Sequence, residues 1–248
     1  MSTPQSRQGS ANRTAFPTTH WSAVLVAGQD GSPQAEAALE DLAQAYWYPI
    51  YAFLRREGYA TVEAQDLTQT FFARLIEKNY PAQADPAKGR FRSFLLLTLR
   101  HFLSDERERA GAAKRGGGSV LLSLDEERSE GRYRNEPADV DTPETLFERR
   151  WAETILERAK TRLAEEYAAS GKQAIYQVLR DFQPGERRSL SYVEAARQLA
   201  TTEGAVKALI HRMRSRHQEL VRHEIAQTVA SAEDVDDELR HLIAVLSR

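Results

Sequence analysis

The densest set of side chains able to meet a polyanion lies between Glu203 and His223. Five Lys or Arg residues stand there against two Glu, a net of +3 before any histidine charge. Lys207, His211, Arg212, Arg214 and Arg216 fall on the outer side of a helical pattern whose apolar positions are Val206, Ile210 and Met213. Cations spaced along one helix suit phosphate oxygens. Those near its first turns can also reach base edges in a major groove. The same pattern fits a helical hairpin with a solvated basic face. His211, His217 and His223 recur every six residues, which does not give the i, i+4 face of a metal pair. No metal site is expected.

A helix needs a partner to hold it at such a surface. Ser191 to Leu199 reads as a short helix and Ala200-Thr201-Thr202 as a tight turn. Ser191 and Thr202 are placed to cap the two helices. Val193, Ala196 and Leu199 are expected to pack against Val206, Ile210 and Met213, with small Ala195 allowing close approach. A second basic stretch, Lys88 to Arg115, has eight Lys or Arg against three acids, a net of +5.

The rest of the chain supplies scaffolding. Its 248 residues suit one large domain or two small ones. Hydrophobic residues make up 41%, enough for packed cores. The 34 basic and 36 acidic side chains nearly cancel, so the distribution of charge, not its sum, carries information. With no cysteine, disulfides and thiolate chemistry are excluded. P-loop, zinc-pair and nucleophile-elbow motifs are missing from the sequence, so no enzymatic role and no cofactor are expected. No apolar run approaches a membrane span, and a cytoplasmic location without membrane contact is expected.

Helical spacing recurs at 35–53, where Pro49 is expected to kink or restart the helix and Gly58 to end it. It returns at 61–79, with Thr61 as cap and a stripe of Leu67, Phe71 and Leu75, and again from Phe91. Pro81 and Pro86 bracket a loop, and Gly116-Gly117-Gly118 closes the first half. Residues 119–150 carry nine acids and five arginines, a net of -4, and read as a linker. Helical pattern resumes at Pro143 and runs through Trp151 and Leu163. The last stretch, Glu224 to Arg248, has a net charge of -4 and an apolar stripe at Val235, Leu239, Leu242 and Leu246. It is expected to fold back as a helix and cover the basic recognition surface. The expected class is all-α: two small helical domains joined by an extended acidic linker.

Ser191, Tyr192, Glu194, Ala196, Leu199, Gly204, Val206, Lys207, His211, Arg212 and Arg214 resemble region four of bacterial RNA polymerase sigma factors of the extracytoplasmic-function type. Glu63 to Leu75 looks like region two of the same family, and Asp85 to Leu95 is similar to its D-P-x-x-G-x-F-R-x-W-L motif. The likeness covers most of 34–224 and implies a division of labour. Residues 1–18, polar and outside the likeness, are expected to form an arm; the likeness implies that 19–115 is a domain for core polymerase and the minus-ten element and 116–143 a linker. Residues 144–223 form the helix-turn-helix domain for the minus-thirty-five element, and 224–248 an extension.

The resemblance implies polymerase binding by Glu63, Asp66, Gln69 and Thr70, and minus-ten binding by Arg100, His101 and Phe102. It implies minus-thirty-five reading by Lys207, His211, Arg212, Arg214 and Arg216. Core RNA polymerase and promoter DNA are the implied partners, with an anti-sigma factor or a Ser/Thr kinase as further candidates.

The sequence departs from the family at His101, where Asn is usual, and at Leu209, where Arg is common. Ala64, Gln65 and Thr70 replace acids on the docking helix, so phosphorylation of Thr61, Thr68 or Thr70 would restore negative charge there. The alternative reading is a stand-alone helix-turn-helix regulator that dimerises through the 235–246 stripe.

Overall fold

The computed structural model describes residues 33–77, 90–112, 126–134, 142–184, 189–229 and 231–247. Among these, nine α-helices and no strand occur, so the class is all-α. The expected arm at 1–18, the Pro81–Pro86 loop, the Gly116–Gly118 run and the Asp85–Gly89 part of the third motif lie outside the described residues.

Helix α1 (Pro33–Arg56) runs through Pro49 without ending. Gly58, at φ +96°, supplies the left-handed residue that closes it, and Tyr59 N–H donates back to Leu54 O at 3.2 Å. In α2 (Thr61–Glu77) the first helical bond runs from Ala64 N–H to Ala60 O, so Ala60, not Thr61, holds the capping position. Helix α3 (Phe91–Ala112) follows. The stretch read as a linker contains a helix, α4 (Glu126–Tyr133). Its Glu130 accepts from Tyr51 Oη and pairs with Arg55 on α1 at 3.3 Å. Charge in an acidic stretch thus serves docking as well as solubility.

The spine is α5 (Pro143–Ala169), capped by Thr142 Oγ1, which accepts from Thr145 N–H at 3.2 Å. Its apolar face, with Phe147, Trp151 and Ile155 buried, packs on α1, on α8 (Glu203–Ala226) and on α9 (Glu233–Leu246). Tyr46 of α1 stacks on Phe147 with ring centroids 6.2 Å apart. One cluster of buried side chains therefore runs from α1 through α5 into α8 and α9. Arg158 ties the same elements, holding Asp41 of α1 at 2.8 Å and Glu224 of α8 at 2.9 Å. Between α5 and the helix-turn-helix lie α6 (Gln173–Leu179), a 3-10 turn (Arg180–Phe182) and α7 (Tyr192–Gln198).

Candidate nucleic-acid interface

Local chemistry builds the α7–turn–α8 unit almost completely. Ser191 Oγ accepts from Glu194 N–H at 3.2 Å while the Glu194 carboxylate accepts from Ser191 N–H at 2.9 Å, a reciprocal capping box. These bonds hold the Glu194 carboxyl below its usual range, the Ser191 hydroxyl being the larger cause. Ala200, at φ +48°, takes the left-handed turn position, and Thr202 Oγ1 caps α8 by accepting from Ala205 N–H at 3.2 Å. Upstream, Asp181 accepts from Leu190 N–H and Ser189 N–H, both at 2.7 Å, and these bonds depress its pKa, Leu190 foremost.

The packing differs from expectation at one residue. Ala195, Ala196, Val206, Ile210 and Met213 are buried, but Val193 is 52% exposed. In so short a helix Val193 lies on the side away from α8, and Tyr192 takes its place by stacking on Phe182 at 5.3 Å.

Lys207, His211, Arg212 and Arg214 are exposed on α8. The Lys207 ammonium sits 5.3 Å from the Tyr192 ring centroid, which positions it at the helix start. Arg214 turns back, donating through Nε to Phe182 O at 3.0 Å. Arg216 does not join this face. It pairs with Glu166 of α5 at 2.7 Å and with Glu219 at 2.7 Å, and its hydrogen bonds keep the Glu166 carboxyl below its usual range. Nine residues past Lys207, two and a half helical turns, put Arg216 on the opposite side of α8; Arg212, five residues past Lys207, is turned about 140° from Lys207 and flanks the Lys207–His211 face rather than sharing it.

The first half offers two faces. On α2, Glu63 and Asp66 are exposed, Gln69 and Thr70 half-buried. Thr68 is fully buried, its hydroxyl donating to Ala64 O at 2.7 Å, so it is closed to modification. On α3, His101 is exposed and Arg100 pairs with Glu144 of α5 at 2.5 Å. Phe102 does not offer a stacking surface. It is 5% exposed, packs edge-on against Phe71 at 5.5 Å, and is covered by the Arg74 guanidinium. Position 102 lies within the buried row of Phe91, Leu95, Leu99 and Leu103, and that periodicity decides its direction.

Leu97 was missed by sequence reasoning. It is 58% exposed and shares a face with Arg100, His101 and Ser104. The signal was present: in the run Leu95-Leu96-Leu97, position 97 falls outside the buried row. An exposed apolar side chain beside a cation and an imidazole can meet a thymine methyl or wedge against a base step.

The acidic tail folds back as α9, but against α5 and α8 rather than over the recognition face. Of the stripe, Val235 and Leu242 are buried within the chain and Leu239 is half-buried, while Leu246 is 38% exposed, so three of its four residues are engaged inside the chain rather than free as a dimer face. No group of three or more His, Cys, Asp or Glu that could hold a metal ion occurs among the described residues, and none of their helices is long and apolar enough to cross a membrane. Comparisons with family models, with curated proteins and with solved structures give no match.

Proposed function

We propose that the chain is a sigma factor of the extracytoplasmic-function type, which joins core RNA polymerase and directs initiation by reading the minus-ten and minus-thirty-five elements of promoter DNA. The observation that carries this reading is the capped helix-turn-helix with Lys207, His211 and Arg212 exposed along its second helix. Lys207, near the N-terminus of α8, serves base edges, and Arg212 serves phosphate. Glu63, Asp66 and Gln69 supply the polymerase-docking face of α2. His101, Arg100 and exposed Leu97 serve the minus-ten strand, with Arg100 first leaving Glu144. The two functional halves are 19–115 and 144–223. An anti-sigma factor or a Ser/Thr kinase would act by covering or recharging the α2 face, with Thr61 and Thr70 the half-exposed hydroxyls there.

Run-off transcription with purified core polymerase on a genomic promoter pool tests the proposal. Discrete transcripts that require the chain are expected. If core alone gives the same products, while the chain binds duplex DNA by itself, a stand-alone regulator replaces this reading.

A further inference from the structure

The segment Arg90-Phe91-Arg92, at the start of α3, is bound by the opposite end of the sequence. Phe91 N–H donates to Thr228 O at 3.1 Å, and Arg90 and Val229 form an isolated antiparallel bridge. Glu238 of α9 is 1% exposed. Its two carboxylate oxygens accept from Arg92 Nε at 2.8 Å and Nη2 at 3.2 Å, and Arg90 Nε reaches Oε1 at 2.8 Å. Arg92 also meets Glu148 of α5 at 2.5 Å and lies over the Trp151 ring, and the other Glu148 oxygen meets His241 of α9. A buried carboxylate with two guanidiniums is a demanding arrangement, since removing one partner leaves charge stranded away from water. Here it joins the first half, the spine and the tail at one point.

This junction limits reach. His101 lies ten residues along α3 from Phe91, about 15 Å at 1.5 Å per residue. Lys207 lies twenty-one residues back from Thr228, almost all along α8, about 32 Å. Because Phe91 and Thr228 touch, His101 and Lys207 stand no more than about 50 Å apart however the helices are angled. The minus-ten and minus-thirty-five elements are about 25 base pairs apart by their names, about 85 Å of duplex at 3.4 Å per base pair. The chain as folded reads one element or the other, not both.

Resting on the sigma reading above, we infer that α9 is a bolt: Glu238, through Arg90 and Arg92, locks the chain closed in a state unable to span a promoter, and core polymerase draws it open between α1 and α5. Opening uncovers the apolar faces of Tyr46, Phe147 and Trp151, which a protein surface can cover again and a charged duplex cannot. Promoter DNA alone therefore leaves the bolt shut.

The lack of cysteine makes the test direct. Cysteines placed at exposed Ser104 and Ala208 of the full chain carry spin labels, and their separation is read by pulsed dipolar spectroscopy. The unaltered background should give a single distance within the closed limit, unchanged by promoter duplex and lengthened by core polymerase. Glu238→Gln, which keeps size but removes the charge and replaces one of the two acceptor oxygens with an NH2 donor, should populate longer distances without polymerase. So should a chain ending at Ala230, and both should bind core more tightly. Near-ultraviolet circular dichroism checks that the helices remain packed. A closed distance in both variants, or an open one in the starting chain, overturns the bolt. A distance that lengthens in the variants while core polymerase neither binds nor shifts it keeps the bolt and discards the sigma assignment.

Discussion

The two candidate reading surfaces are built in opposite ways. At α7–α8 the reader is complete as folded: two helix starts are capped by their own side chains, the turn residue is in place, and Lys207, His211 and Arg212 face outward. On α3 the implied reader is engaged elsewhere, with Arg100 paired to Glu144 and Phe102 under Arg74. A duplex can be read by a rigid element that arrives preformed. Unstacked bases need a surface that becomes available when the strands part. Under the proposed sigma reading, the difference suits a first contact with DNA that is double-stranded.

Five substitutions and a pH series test that contrast. The largest expected effect is at Phe102. Phe102→Ala should destabilise the fold by about 3–5 kcal/mol in denaturant unfolding, because a large aromatic leaves a packed site. If stability holds and only single-stranded promoter binding suffers, the α3 surface is already open and the contrast fails. Next is Lys207→Ala, expected to weaken binding to a minus-thirty-five duplex by about 1–3 kcal/mol and relax preference at one base pair. Equal loss on all sequences would move Lys207 to the phosphate class. Ser191→Ala should cost about 1 kcal/mol of stability through the lost cap.

Arg212→Ala should lower the slope of log affinity against log salt by about one, whereas Arg216→Ala, already paired with Glu166, should leave it unchanged. An identical slope change for both would mean that Arg216 swings to DNA. The smallest effect concerns pH. Asp181 and Glu194 have folded pKa values below their ordinary ones, so their contribution is present above the unfolded value near pH 4 and fades as pH falls through the lower folded value. The protection factors of the Ser189–Ser191 amides, their exchange rates taken relative to the intrinsic rate at each pH, should therefore fall below about pH 4. No change there would assign the order of this turn to packing alone.

Much of the α7–turn–α8 unit was legible because its determinants are local. Ser191 and Glu194 are three residues apart, and the apolar spacing of Val206, Ile210 and Met213 is that of a helix. Local pattern also gave the boundaries at Pro143 and Gly58. What escaped depends on distant partners. Arg216 looks like another cation of the reading face until Glu166, fifty residues away, is brought beside it. Glu130 looks like one more acid of a linker until Tyr51 and Arg55 meet it. The fate of the tail followed the same rule, since its charged residues found Arg90, Arg92 and, at the far end of α8, Arg222 rather than the Lys207–His211 face.

The pairing of α1 with α5 also sets a schedule for the chain's first moments. The face of α1 bearing Tyr46, Ile50 and Leu54 is 0% exposed in the finished fold, covered in large part by α5. During synthesis that cover does not yet exist, for 113 residues separate the end of α1 at Arg56 from the end of α5 at Ala169. At about 5–20 residues per second, α1 waits on the order of ten seconds with its aromatic face bare. Nascent chains stalled before residue 143 should therefore be far better substrates for a chaperone holdase than chains stalled beyond 169.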